Sequence, residues 1–144
     1  VEEQPRARRL AKPKAQENEL WGTGTILLVE DEAMVRTVAE RALARHGYKV
    51  LTANNGEEAL ERLEVCGAEV ALLISDVVMP VMDGPTMVRE ARKTYPDLPI
   101  LFMSGYAEEQ LRKSIDIANV AFLPKPFSVL ELAQAVQRVL VAAK

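Results

Sequence analysis

The chain has 144 residues, a net charge of −3, 49% hydrophobic residues and 27% charged residues. That is enough apolar material for one globular core and a tail, and too little positive charge for bulk attraction to nucleic acid. No apolar run reaches the roughly 18 residues of a membrane-spanning helix, and residues 1–20 lack the apolar stretch of a secretory signal. With one histidine, His46, and one cysteine, Cys66, the chain has no Cys/His metal cluster, internal disulfide, or Ser-His or Cys-His nucleophile pair.

Residues 1–19 mix Arg6, Arg8, Arg9, Lys12 and Lys14 with Glu2, Glu3, Glu17 and Glu19, and contain two prolines but no aromatic residue. This composition predicts a linker; a basic nucleic-acid arm is the weaker reading, because the acids nearly cancel the charge. Leu20-Trp21-Gly22 is the expected point where the linker, residues 1–23, meets a folded domain over 24–144.

Strands and helices then alternate. Thr25–Asp31, Val70–Asp76, Leu98–Ser104 and Val120–Lys125 each begin as an apolar run and end in polar residues. Such runs predict strands of a parallel sheet covered on both faces. Ala33–His46 has helical spacing at Met34, Val35, Val38, Ala42 and Leu43, with Gly47 as the stop. Lys49–Ala53 reads as a short strand. Asn55-Gly-Glu-Glu58 and Ser128-Val-Leu-Glu131 read as capping boxes that open helices. Asp83-Gly84-Pro85 opens another helix, ended by Tyr95-Pro96, and residues 106–117 predict a short one around Leu111 and Ile115. Cys66, near a helix end, is expected to be an ordinary structural thiol. The pattern is (βα)5, an α/β fold expected to form a doubly wound, five-stranded parallel sheet of flavodoxin-like order 2-1-3-4-5.

In such a sheet the functional crevice lies beyond the carboxyl ends of the strands. Glu30, Asp31, Asp76, Ser104 and Lys125 all fall at that edge. Three converging carboxylates repel one another unless a cation joins them, and Mg²⁺ favours oxygen ligands of this kind. Asp76, alone at the centre, is the candidate nucleophile for an acyl phosphate. Glu30 and Asp31 read as metal holders, Lys125 as a fixed charge for phosphate oxygens, and Ser104 as a hydrogen-bond donor to one of them. Any one of these residues alone would more often be a turn or a cap. Met79-Pro-Val-Met82 reads as packing, with Pro80 and Gly84 shaping the loop.

Leu28-Val-Glu-Asp-Glu32, Ser75-Asp-Val-Val-Met-Pro-Val-Met-Asp-Gly84, Phe102-Met-Ser-Gly105 and Phe122-Leu-Pro-Lys-Pro-Phe127 together resemble the response-regulator receiver (CheY-like) family over about residues 24–143. The resemblance implies that Asp76 is the phosphoacceptor and a metal ligand and that Asp31 binds Mg²⁺ directly. It further implies that Glu30 holds the metal through water, that the Val78 backbone carbonyl is a further ligand, and that Ser104 and Lys125 bind the phosphoryl group. Phe122 matches the switch aromatic that turns inward when Ser104 moves, and Lys125-Pro126 matches a bond typically cis in the family. Leu20–Glu32, Met103–Ala107 and Leu123–Ser128 are similar to the carboxy-terminal receivers of hybrid histidine kinases of the CckA cell-cycle type. Residues 1–19 would then tether the receiver to a kinase domain, and no DNA-binding output domain is expected after Lys144.

The resemblance implies a phosphorelay. Asp76 would accept phosphate from a kinase phosphohistidine, in cis, and exchange it with a histidine phosphotransferase docked near Met34, Val35 and the loop after Lys125. The receiver would be a phosphoacceptor that assists its own phosphorylation and dephosphorylation. It would be monomeric when isolated and cytoplasmic, including at the cytoplasmic end of a membrane-anchored kinase. The bulky Val78 and Tyr106 are expected to obstruct hydrolytic water. The competing functions are a stand-alone switch that binds a partner when phosphorylated, a Mg²⁺-dependent aspartyl phosphatase, and a binding-only pseudo-receiver. The phosphatase would need a second acid where Val78 stands, and the pseudo-receiver would have no use for the reactive residues.

Overall fold

A computed structural model of the chain describes residues 22–106 and 108–143. The strands are β1 (Thr25–Val29), β2 (Lys49–Ala53), β3 (Val70–Asp76), β4 (Ile100–Ser104) and β5 (Val120–Pro124). The helices are α1 (Ala33–Arg45), α2 (Gly56–Cys66), α3 (Gly84–Thr94), α4 (Glu108–Ser114) and α5 (Val129–Ala143). The sheet is parallel throughout, in the order β2-β1-β3-β4-β5, as the alternating pattern predicts.

Successive strand residues point to opposite faces, so each apolar run feeds two cores. Leu27, Val29, Leu73, Ile100 and Phe102 pack with Ala59 and Leu63 of α2, Met87, Val88 and Ala91 of α3 and Leu111 of α4. Ile26, Leu28, Leu72, Ile74, Leu101 and Met103 pack with Ala39, Ala42 and Leu43 of α1 and Leu132, Ala135 and Val136 of α5. Burial on both faces explains why the strands read as continuous apolar runs rather than as alternating ones.

Local signals set the helix ends. Helix α1 stops at Arg45, with His46 as its C-cap and Gly47 at φ 99° donating to the Ala44 carbonyl; glycine takes that left-handed conformation without a steric penalty. The α2 box is displaced on one side: Asn55 Oδ1 accepts from the Glu58 N–H, but the Glu58 carboxylate reaches the N–H of Asn54. The α5 box is reciprocal, with Ser128 Oγ accepting from the Glu131 N–H at 3.0 Å and Glu131 Oε1 from the Ser128 N–H at 2.8 Å. Asp83 Oδ1 caps α3 through the Thr86 N–H at 2.8 Å.

Helix α4 is shorter than the predicted 106–117. It ends at Ser114, although Leu111 and Ile115 are both buried as expected. The connection to β5 is held by Arg92, whose Nη1 donates to the Ala118 carbonyl and whose Nη2 donates to Asn119 at 2.8 Å and Leu98 at 3.0 Å. Ala118 and Asn119 are thereby committed to the turn into β5. Cys66 is the last residue of α2 and carries a free, half-buried thiol. Leu20 and Trp21 lie outside the described residues; the N–H of Gly22 donates to the His46 carbonyl at 2.9 Å.

Candidate functional site

The strand ends deliver all five predicted polar residues to the carboxyl edge. Val29 pairs in register with Ser75, Asp76 with Met103, and Ser104 with Pro124. Glu30, Asp76, Ser104 and Lys125 therefore end adjacent strands in the order β1-β3-β4-β5. Glu30 is completely buried, Asp76 and Ser104 are buried, and Asp31 is exposed.

Lys125 joins the acids. Its Nζ donates to Asp76 Oδ2 at 2.8 Å and to Glu30 Oε1 at 3.2 Å. The other oxygen of Glu30, Oε2, accepts from the Glu32 N–H at 3.1 Å. Burial raises the Glu30 pKa above the ordinary carboxylate value and the charge of Asp76 adds to this, while the Glu32 N–H and Lys125 oppose it. For Lys125, burial alone would depress the ammonium, but the hydrogen bonds and charges of Asp76 and Glu30 outweigh it and leave the pKa raised.

One carboxylate oxygen from each of Glu30, Asp31 and Asp76 lies within 4.8 Å of the others. Three hard oxygen donors so close together suit Mg²⁺, which takes carboxylates and keeps several waters. The single ammonium of Lys125 does not balance the three acids, so the donor set fits a divalent cation on charge as well as on chemistry. Ser104 Oγ accepts from the Tyr106 N–H at 3.0 Å, which leaves its own hydrogen available to donate.

The loop after β3 is pinned by the Val77 N–H donating to Met103 and the Gly84 N–H donating to Val77. Val78 lies in this loop with its side chain exposed, as does the side chain of Tyr106 after β4. Met79 is buried and Met82 packs on the core, which agrees with the packing reading. Val81 has φ 71°, and the Met82 N–H donates to the Pro80 carbonyl at 2.7 Å, closing a γ-turn that is strained for a β-branched residue. The valine itself gives no sequence sign of this turn.

Phe122 lies opposite Phe102 in the β4–β5 register. Its half-buried ring stacks on Phe102 with centroids 5.9 Å apart, and the Arg112 guanidinium lies 5.0 Å from its centroid. The Lys125–Pro126 bond is cis, as the resemblance implies. Beside the site a groove of about 490 Å³ runs between α1 and the start of α5, lined by Met34, Val35, Val38, Pro126, Phe127 and Leu132 among others. Met34 is 82% exposed at its rim. Arg36, which belongs to none of the site motifs, donates from Nη1 to the Glu30 carbonyl at 2.8 Å. Its place one turn into α1 was the available signal, since helical side chains lean back toward the N-terminus.

Residues 26–137 match the response regulator receiver domain. The chain is 51% identical over 123 residues to the sensor kinase CckA of Brucella abortus (strain 2308), covering 85% of this chain and 13% of that protein. It is 39% identical over 119 residues to the response regulator receiver protein CpdR of the same organism, covering 82% of this chain and 98% of that protein. The crystal structure of the receiver domain from the hybrid histidine kinase CckA superposes with a TM-score of 0.71 at 45% identity, covering 81% of this chain and 99% of that one. Vibrio cholerae CheY4 superposes with a TM-score of 0.72 at 32% identity, over 82% of this chain and 99% of that chain. Taken with the parallel sheet and the acids at its carboxyl edge, these matches show that the chain belongs to the response regulator receiver family of two-component signalling, with a receiver of the type found in CckA.

Proposed function

We propose that the chain is a phosphorelay receiver in which Asp76 takes a phosphoryl group from a kinase phosphohistidine and passes it to a histidine phosphotransferase. The observation that carries this reading is the convergence of Glu30, Asp31 and Asp76 within 4.8 Å, with Lys125 Nζ 2.8 Å from Asp76. An Asp76 carboxylate oxygen attacks phosphorus, the P–N bond breaks, and the imidazole leaves with the electron pair. Glu30, Asp31, Asp76 and the Val78 carbonyl would hold Mg²⁺, which when bound neutralises charge on the phosphoryl oxygens. Lys125 exchanges part of its contact with Asp76 for a phosphoryl oxygen, and Ser104 donates to another. Movement of Ser104 toward the phosphate would open space for Phe122 to turn inward.

The groove beside α1 supports the docking part of this reading. Its apolar lining from Met34, Val35, Val38 and Phe127 suits an apolar helical face of a histidine phosphotransferase, and Lys125 at one end leads to the site. The 51% identity to the CckA sensor kinase, of which the chain spans 13%, supports the reading of a kinase partner in cis at a cytoplasmic position. One observation favours the alternative of a stand-alone switch: the match to CpdR covers 98% of that protein.

The test is intact mass after incubation with a small-molecule phosphodonor. A single phosphate should add to the parent in Mg²⁺, and none should add in EDTA or to Asp76→Asn. An Asp76→Asn protein that still gains phosphate refutes the assignment. Transfer to a phosphotransferase, lost on Met34→Glu, separates the relay from the stand-alone switch. Val78→Asn should shorten the lifetime of the acyl phosphate; an unchanged lifetime removes Val78 as a water barrier.

A further inference from the structure

Glu30 is held at four points. Its N–H donates to the Ala53 carbonyl at 3.1 Å and its carbonyl accepts from Arg36 Nη1 at 2.8 Å. Its two carboxylate oxygens accept from the Glu32 N–H and from Lys125 Nζ. The Ala53 bond extends the sheet, and the Glu32 and Lys125 bonds hold the carboxylate. The Arg36 bond has a different target, the carbonyl of the peptide that joins Glu30 to Asp31.

That peptide matters because Asp31 has little else to orient it. Asp31 is exposed and makes no hydrogen bond or ion pair among the described residues. A peptide is planar, so holding the Glu30 carbonyl also sets the Asp31 N–H and the direction in which its Cα leaves the sheet. Arg36 is itself anchored, since its N–H donates to the Glu32 carbonyl at 2.9 Å in the first turn of α1. The guanidinium thus ties the first turn of the helix to the acidic end of β1.

We infer that Arg36 is a positioning residue for the divalent-cation site, holding the Glu30–Asp31 peptide so that both acids face Asp76. This rests on the reading of the acidic cluster as a Mg²⁺ site. Two effects of Arg36 oppose one another and can be told apart. As a positive charge near a cation site it would weaken Mg²⁺ binding, and its removal would tighten binding. As a positioning group it strengthens binding, and its removal would weaken it. The charge effect is screened by salt, with a length of about 8 Å at 0.15 M and about 3 Å at 1 M. The positioning effect is not, and losing such supporting contacts typically costs about 10- to 100-fold in metal affinity.

The experiment is calorimetric titration of the whole chain with Mg²⁺ at roughly 0.15 M and 1 M salt, alongside urea unfolding in EDTA. Arg36→Ala and Arg36→Met should both bind Mg²⁺ about tenfold more weakly at either salt, the methionine variant keeping the apolar stem and the parental unfolding midpoint. Arg36→Lys, which retains the charge and a donor, should recover to within about threefold of the parent. Mg²⁺ binding by Arg36→Met that equals or exceeds the parental affinity overturns the inference. So does an Arg36→Lys protein as weak as Arg36→Met, which would show that the carbonyl contact is not the cause. A flat titration of the parent would instead refute the Mg²⁺ reading of the cluster and this inference with it.

Discussion

The two ends of the sheet use cations in opposite ways. At the carboxyl end, Lys125 bridges the carboxylates of Glu30 and Asp76. At the amino end, Arg92 grips the backbone carbonyls of Leu98, Ala118 and Asn119. Burial lowers the Arg92 pKa, opposed by the charge of Asp97, while the Lys125 pKa stays raised because its partners are acids. Carboxylates can trade an ammonium for a metal or protonate, so the Lys125 contacts are exchangeable. Backbone carbonyls in a turn have no second state, and a forked guanidinium fits them as a permanent clamp. The contrast suggests that chemistry is placed where partners can be exchanged and stability where they cannot.

The sharpest way to break this contrast is to remove each cation in turn. Lys125→Gln should slow phosphate uptake on Asp76 about a hundredfold, the usual loss when a group stabilising transition-state charge is deleted, as followed by intact mass over time. Arg92→Ala should leave uptake per folded molecule at the parental rate. A loss of uptake in Arg92→Ala would erase the division between the two ends.

Gly84 bears on the same division, because a Cβ there would lie 2.3 Å from the Asp76 carbonyl oxygen and 3.1 Å from the Phe102 ring. Gly84→Ala should therefore cost about 3 kcal/mol through overpacking and also displace Asp76, lowering both the urea midpoint and phosphate uptake. Next in size is the stability cost of Arg92→Ala, about 2 kcal/mol for the lost carbonyl bonds and read from urea unfolding. Arg92→Lys should recover less than half of it.

The smallest effect concerns Tyr48, buried in the α1–α5 core, where burial raises its pKa above the ordinary tyrosine value. The folded protein then keeps the phenol proton to a higher pH than the unfolded chain does. Stability is lost as the pH rises from about 10 toward the raised folded value. Tyr48→Phe should leave the urea midpoint little changed at pH 7 and flatten its fall above about pH 10. A parallel fall in both proteins would remove Tyr48 as the cause.

Much of the fold was legible because its signals are local. The apolar runs at Thr25–Val29 and Val70–Asp76, the Asn55, Asp83 and Ser128 caps, and the Gly47 stop each act through neighbours in sequence. The turn into β5 was not legible, because it is held by Arg92 reaching Ala118 and Asn119 from a different helix. The acidic site was legible as a set of residues, since each follows directly on a strand of a sheet whose order the connections imply.

The parallel (βα)5 sheet, and the edge to which Glu30, Asp31, Asp76, Ser104 and Lys125 fall, follow from the order of residues along the chain. Hydrophobic period and strand polarity are properties of a single segment. Only the packed structure shows that Lys125 spans two acids, that Gly84 must lack a side chain beneath Asp76 and that Val81 closes a strained turn. Each of these depends on how separate segments pack against one another, or on a backbone angle imposed by its surroundings, and neither quantity is written in the pattern of residues along one strand or helix.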